Sequence, residues 1–121
     1  MKILLIEDDI FYQKFYSTKL TEKGFEVFVA SDGEEGLQKV TEVKPNIVLL
    51  DIIMPKKDGF EVLEAMGKNG TLQTTPVLVF SSLGEDQDVQ KALSLGATGY
   101  VNKSFYDLDT LLAKIASISK I

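Results

Sequence analysis

The chain reads as an α/β protein. It should form one three-layer, doubly wound domain with a five-stranded parallel sheet of order 2-1-3-4-5 and five helices. Three observations predict this. Short apolar runs of strand length alternate five times with longer segments of helical spacing. Three of those runs are apolar at every position, as strands buried on both faces must be. The chain has 121 residues, enough for a single core, and no linker, repeat or low-complexity stretch divides it. Residues 1–121 therefore read as one domain.

The first run, Ile3-Leu4-Leu5-Ile6, is wholly apolar. Behind it Tyr12, Phe15, Tyr16 and Leu20 fall on one helical face, and Gly24 suits the left-handed residue that closes a helix. The second run, Phe25 to Val29, carries Glu26, which suits an edge strand. Gly33 to Val43 brings Leu37 and Val40 together, and Pro45 stops that helix. Ile47-Val48-Leu49-Leu50 is the third run, followed by a stripe of Phe60, Leu63 and Met66. Val77-Leu78-Val79-Phe80 is the fourth, followed by Val89, Ala92 and Leu93 and then Gly96. The fifth, Gly99-Tyr100-Val101-Asn102, is weaker, and its Asn102 suits the other edge. Leu108, Leu111, Leu112 and Ile115 line the last helix. Runs one, three and four belong at the centre, and right-handed crossovers then give the order 2-1-3-4-5.

Composition removes many chemistries. There is no histidine, cysteine, tryptophan or arginine. Disulfides, thiolate nucleophiles, imidazole ligands and Ser-His-Asp triads are therefore excluded. A bound metal must use oxygen ligands, which favours a hard cation such as Mg²⁺, with Mn²⁺ as a second choice. The net charge is −5 and every basic residue is a lysine, so no direct contact with nucleic acid is expected. The apolar runs are too short for a membrane span or a signal peptide, so a cytoplasmic protein is expected.

In a doubly wound sheet, ligands bind at the carboxyl ends of the strands where the winding direction reverses, here strands one and three. Glu7, Asp8 and Asp9 follow the first strand, and Asp51 follows the third. Neighbouring strands lie about 4.8 Å apart, so Glu7, Asp8 and Asp51 should form one acidic cluster. Ser81 ends the fourth strand and Lys103 follows the fifth, on the same rim. Each residue alone has an ordinary explanation. Acids favour helix N-termini, an aspartate suits a turn, a serine suits a cap, and a lysine is usually solvated. Four strand ends converging on one rim argue for chemistry instead. Clustered carboxylates repel unless a cation sits among them. A lysine and a hydroxyl facing them suit the remaining oxygens of a phosphoryl group, and a carboxylate can be the nucleophile toward phosphorus.

These residues resemble the receiver domain of bacterial two-component response regulators, the CheY-like family, whose fold is flavodoxin-like. Three blocks carry the resemblance: Ile3 to Asp9, Leu49 to Phe60, and Gly96 to Lys103. The second has proline four residues after Asp51 (Pro55) and glycine eight after it (Gly59). The resemblance implies that Asp51 accepts a phosphoryl group from a histidine kinase, a phosphotransfer protein or a small donor such as acetyl phosphate. It implies that Asp8, Asp51, Glu7 through water, and the backbone carbonyl of Ile53 hold Mg²⁺. It implies that Lys103 pairs with a phosphoryl oxygen and that Ser81 and Tyr100 are the switch residues. The face of helix 4, strand 5 and helix 5 would then control a downstream partner. Such a domain is not an enzyme toward other molecules; it catalyses only its own phosphorylation and dephosphorylation. One departure stands out: the family usually has proline, after a cis bond, where this chain has Ser104.

Three rivals share parts of this pattern. An aspartyl-phosphate phosphatase typically needs a second acid two residues after its nucleophile, and Ile53 stands there. A flavodoxin-like FMN protein would want a Ser/Thr/Gly-rich phosphate loop after the first strand, where Glu7-Asp8-Asp9 stands. A receiver-shaped docking module that is never phosphorylated would not need the acidic cluster or Lys103.

Overall fold

The computed structural model describes residues 1–104 and 107–119. Five strands and five helices alternate: β1 (Lys2–Ile6), α1 (Ile10–Glu22), β2 (Glu26–Ala30), α2 (Gly33–Val43), β3 (Ile47–Leu50), α3 (Gly59–Lys68), β4 (Val77–Ser81), α4 (Asp86–Ser94), β5 (Gly99–Asn102) and α5 (Leu108–Ser119). A short 3₁₀ turn, Thr71–Gln73, lies between α3 and β4. The sheet is parallel throughout, with the order β2-β1-β3-β4-β5. The expected order is therefore the observed one, with the strands bearing Glu26 and Asn102 at the edges.

Period-two alternation builds a core on each face of the sheet. Leu4, Ile6, Val48, Leu50, Val77 and Val79 point to one side and meet Val40 of α2, Leu63 and Met66 of α3 and Ala92 of α4. Ile3, Leu5, Ile47, Leu49, Leu78 and Phe80 point to the other and meet Leu20 of α1 and Leu111 and Ile115 of α5. The central strands β3 and β4 are buried at every residue.

Aspartates cap the starts of α1, α2 and α3. Asp9 Oδ1 accepts from the N–H groups of Phe11 and Tyr12, at 2.8 and 3.2 Å. Asp32 accepts from Glu35, and Asp58 forms a reciprocal capping box with Glu61. Gly24, Gly70 and Gly96 take positive φ beyond helical segments. Lys44, with φ 53°, caps α2 ahead of Pro45.

Three details differ from the sequence expectation. Phe15 does not join the buried stripe of α1: it is exposed, with Ile10 and Phe11 beside it on the surface, while Leu20 alone of that helix is fully buried. Four aromatic rings crowd this helix, and only one side of a helix can face the sheet. Leu93 is likewise exposed, because α4 touches the core through Ala92. The 3₁₀ turn was not foreseen; its Thr-Leu-Gln sequence is too short to carry a periodic signal. At the amino ends of the strands, Pro45, Asn46, Thr74, Pro76 and Thr98 border a shallow cleft of about 410 Å³.

Candidate functional site

The opposite rim, at the carboxyl ends of the strands, gathers the predicted residues. Glu7 extends β1 by one ladder bond, its N–H donating to the Ala30 carbonyl at 3.0 Å. Asp51 extends β3 likewise, its N–H donating to the Ile6 carbonyl at 3.0 Å. The ladder bonds therefore fix both acids beside one another. Both are buried, whereas Asp8 is exposed. One carboxylate oxygen from each of Glu7, Asp8 and Asp51 lies within 4.8 Å of the others. Asp9 stands outside this group as the cap of α1.

Lys103 closes the cluster. Its backbone N–H donates to the Ser81 carbonyl at 3.0 Å, which ties the end of β5 to the end of β4. The side chain is almost wholly buried, with its ammonium hydrogen-bonded to Glu7 Oε1 and 3.7 Å from Asp51 Oδ2. Among the described residues no peptide bond is cis, so the chain runs trans from Lys103 into Ser104. The turn is held instead by Asn102 Oδ1, which accepts from the Ser104 N–H at 2.8 Å.

The remaining expected residues lie around this centre. Ser81 is fully buried and its hydroxyl accepts from the Leu83 N–H at 3.2 Å. Tyr100 is half-buried against the core, and its hydroxyl donates to the Leu83 carbonyl at 2.7 Å. Both side chains therefore meet at the loop after β4. Burial pushes the Tyr100 phenol above its ordinary value, and the charges of Asp88 and Asp51 act in the same direction. Ile53 sits two residues after Asp51 with its side chain exposed.

Close approach of α3 shapes the floor. A Cβ at Gly59 would lie 2.4 Å from the Asp51 carbonyl oxygen and 2.7 Å from Ile52 Cα. Only glycine lets this helix start so near the acidic strand end. Asp51 Oδ1 in turn accepts from the Ile52 N–H at 2.8 Å.

The electrostatics are those of a cation site. Burial pushes the Glu7 carboxyl up to about 7; the hydrogen bond from Lys103 opposes this and the charge of Asp51 adds to it. Three carboxylates face a single ammonium. In a chain without imidazole or thiol, this donor set fits a hard divalent cation.

Several contacts here were not foreseen. Lys103 Nζ lies 4.4 Å from the ring centroid of Tyr12 and 5.7 Å from that of Phe80. Gln13 Nε2 donates to the Glu7 carbonyl and, at 3.1 Å, to Ser31 Oγ, bridging the loops after β1 and β2. Tyr12 did carry a sequence signal, its place in the aromatic stripe of α1, but that stripe suggested core packing.

The response regulator receiver domain model matches residues 3–116. Among curated proteins, the probable transcriptional regulator ycf27 of Cyanophora paradoxa is 38% identical over 117 residues, covering 97% of this chain and 47% of that protein. The CpxR homolog of Haemophilus influenzae is 40% identical over 117 residues, covering 97% of this chain and 49% of that protein. The chain thus spans about half the length of the curated relatives it matches. The BeF3-activated N-terminal receiver domain of Klebsiella pneumoniae RstA superposes with a TM-score of 0.92, at 28% identity and with full coverage of both chains. Vibrio cholerae CheY4 superposes with a TM-score of 0.88 at 29% identity, covering 97% of each chain. With its sheet order, its acidic rim and these relatives in agreement, the chain belongs to the receiver domains of two-component response regulators.

Proposed function

We propose that Asp51 accepts a phosphoryl group from a partner histidine kinase or phosphotransfer protein, and that the modified domain then acts on a downstream partner. The observation that carries this reading is the convergence of Glu7, Asp8 and Asp51 within 4.8 Å, with Lys103 Nζ 3.7 Å from Asp51 Oδ2. An Asp51 carboxylate oxygen attacks phosphorus. A new O–P bond forms, and the donor's P–N bond, or the P–O bond of acetyl phosphate, breaks as imidazole or acetate leaves. Glu7, Asp8, Asp51 and the Ile53 carbonyl would hold Mg²⁺, or Mn²⁺ in its place. The cation neutralises charge on the phosphoryl oxygens when bound. Lys103 pairs with another phosphoryl oxygen, its ammonium already buried at the acceptor. Burial of Asp51 limits the access of competing water.

Ser81 and Tyr100 would carry the response. Both contact Leu83, so a phosphoryl group drawing the Ser81 hydroxyl toward it would disturb the loop on which Tyr100 rests. That loop leads into α4, and the α4–β5–α5 face is the output surface in this reading. Similarity to longer transcriptional regulators favours output through transcription, with nucleic acid contacted elsewhere than on this acidic domain. Ile53, standing where a phosphatase would place its second acid, argues against turnover of a separate phosphorylated substrate.

Incubation with acetyl phosphate and Mg²⁺, read by intact mass, tests the proposal. One phosphoryl group should appear on the protein and none on Asp51→Asn. An unmodified wild-type protein with every donor would leave a docking module, and steady release of phosphate would leave a phosphatase.

A further inference from the structure

An ammonium has three N–H donors and needs each of them placed when it is buried. The side chain of Lys103 is only 5% exposed. Glu7 Oε1 takes one donor, and Asp51 Oδ2 at 3.7 Å attracts the charge beyond normal hydrogen-bond length. A third side is covered by carbon: the Tyr12 ring, 4.4 Å from Nζ, with Phe80 farther off at 5.7 Å. The negative face of an aromatic ring attracts a cation at such a distance, most strongly where water is excluded.

The Tyr12 ring is itself braced. Tyr16 stacks on it at 6.2 Å with planes 16° apart, and Tyr16 also meets Phe80 edge to face at 4.8 Å. Phe80 is buried in the sheet core. The three rings therefore form a rigid wall linking the first turns of α1 to β4, and the ammonium of Lys103 rests against it. Tyr12 reaches that place because Asp9 caps the helix through the Tyr12 N–H, which fixes the start of the helix that carries it.

We propose that Tyr12 is a positioning residue for the phosphoryl transfer. Its ring face holds the Lys103 ammonium between Glu7 and Asp51, so that the charge is in place before a donor arrives. This rests on the proposed role of Asp51 and adds a residue to it. Replacing the ring with an aliphatic side chain of similar size would remove this support and leave only Glu7, the longer contact to Asp51 and the more distant Phe80 ring around the ammonium.

The test compares wild type with Tyr12→Phe, Tyr12→Leu and Tyr12→Met. The first keeps the ring; the other two remove it while keeping apolar volume. Two quantities are read: the rate of adduct formation with acetyl phosphate and Mg²⁺, and the NMR shift of the Lys103 ε-methylene in metal-free protein, assigned by its loss in Lys103→Arg. Tyr12→Leu and Tyr12→Met should slow the reaction about tenfold, as expected for loss of a desolvated cation–π contact. Tyr12→Phe should stay within about twofold of wild type, since phenylalanine keeps a cation-binding ring face. The ε-methylene signal should lie upfield in wild type and Tyr12→Phe, and return to the position of exposed lysines in the other two. Wild-type rates in both ringless variants, equal slowing in Tyr12→Phe, or an unshifted wild-type signal would each overturn the assignment. If wild type forms no adduct, the phosphoacceptor reading fails instead. The methylene shift then decides alone whether the ring holds the ammonium.

Discussion

At the scale of single residues, Glu7 carries the sharpest consequence. Its buried carboxyl keeps a proton up to about pH 7 in the metal-free fold, whereas an unfolded chain releases it near 4.5. The folded state therefore binds more protons between these values. The stabilising effect is full below 4.5 and is lost as pH rises through 7. Urea midpoints of metal-free protein should fall between pH 5 and 8, and Glu7→Gln should flatten that slope. The same titration would oppose the proposed metal binding, because a proton on Glu7 would compete with a cation there. Glu7 and Asp51 were legible because each follows a wholly apolar run whose end is easy to locate, and Lys103 because it follows the weaker fifth run in a block that resembles the family. The wall around Lys103 was not, because an aromatic residue on a helix has the same pattern whether it faces core or charge. Tyr12 differs from Phe15 only by where the helix rotation leaves it, and the sequence does not report that angle.

At the scale of elements, α3 is the part most tightly fitted to the site. Gly59 opens it against the backbone of Asp51 and Ile52. A methyl group there meets backbone rather than a flexible side chain, so Gly59→Ala should destabilise by about 1–3 kcal/mol. Chemical denaturation checks this, and an unchanged midpoint would show that the helix start can retreat. All five helices were foreseen from the helical spacing of their apolar residues, with Gly24, Pro45 and Gly96 marking where three of them stop. Their inward faces were foreseen less well. Phe15 and Leu93 fit a helical stripe by spacing yet stand in solvent, since α1 and α4 each turn only a narrow strip toward the sheet. Spacing defines a stripe, whereas packing decides how wide a part of it is covered.

For the molecule as a whole, strand order followed from two polar residues, Glu26 and Asn102, that would be costly in a strand buried on both faces. That order is what turns scattered carboxylates into one site. A ligand bound only by the folded arrangement must stabilise it. At about a hundredfold excess over its Kd, Mg²⁺ should add roughly 2.7 kcal/mol. Melting temperature should rise with Mg²⁺ and return on chelation, and Asp8→Asn should abolish most of the rise. Unequal use of the two rims has a practical corollary. The acidic cluster and Lys103 sit where the strands finish, while exposed Thr74 and Thr98 lie where they begin, about 16 Å away for a five-residue strand. In a chain without cysteine, a dye or surface tether fixed to a cysteine introduced at either position would leave the acidic end turned outward, ready for use as an oriented sensor.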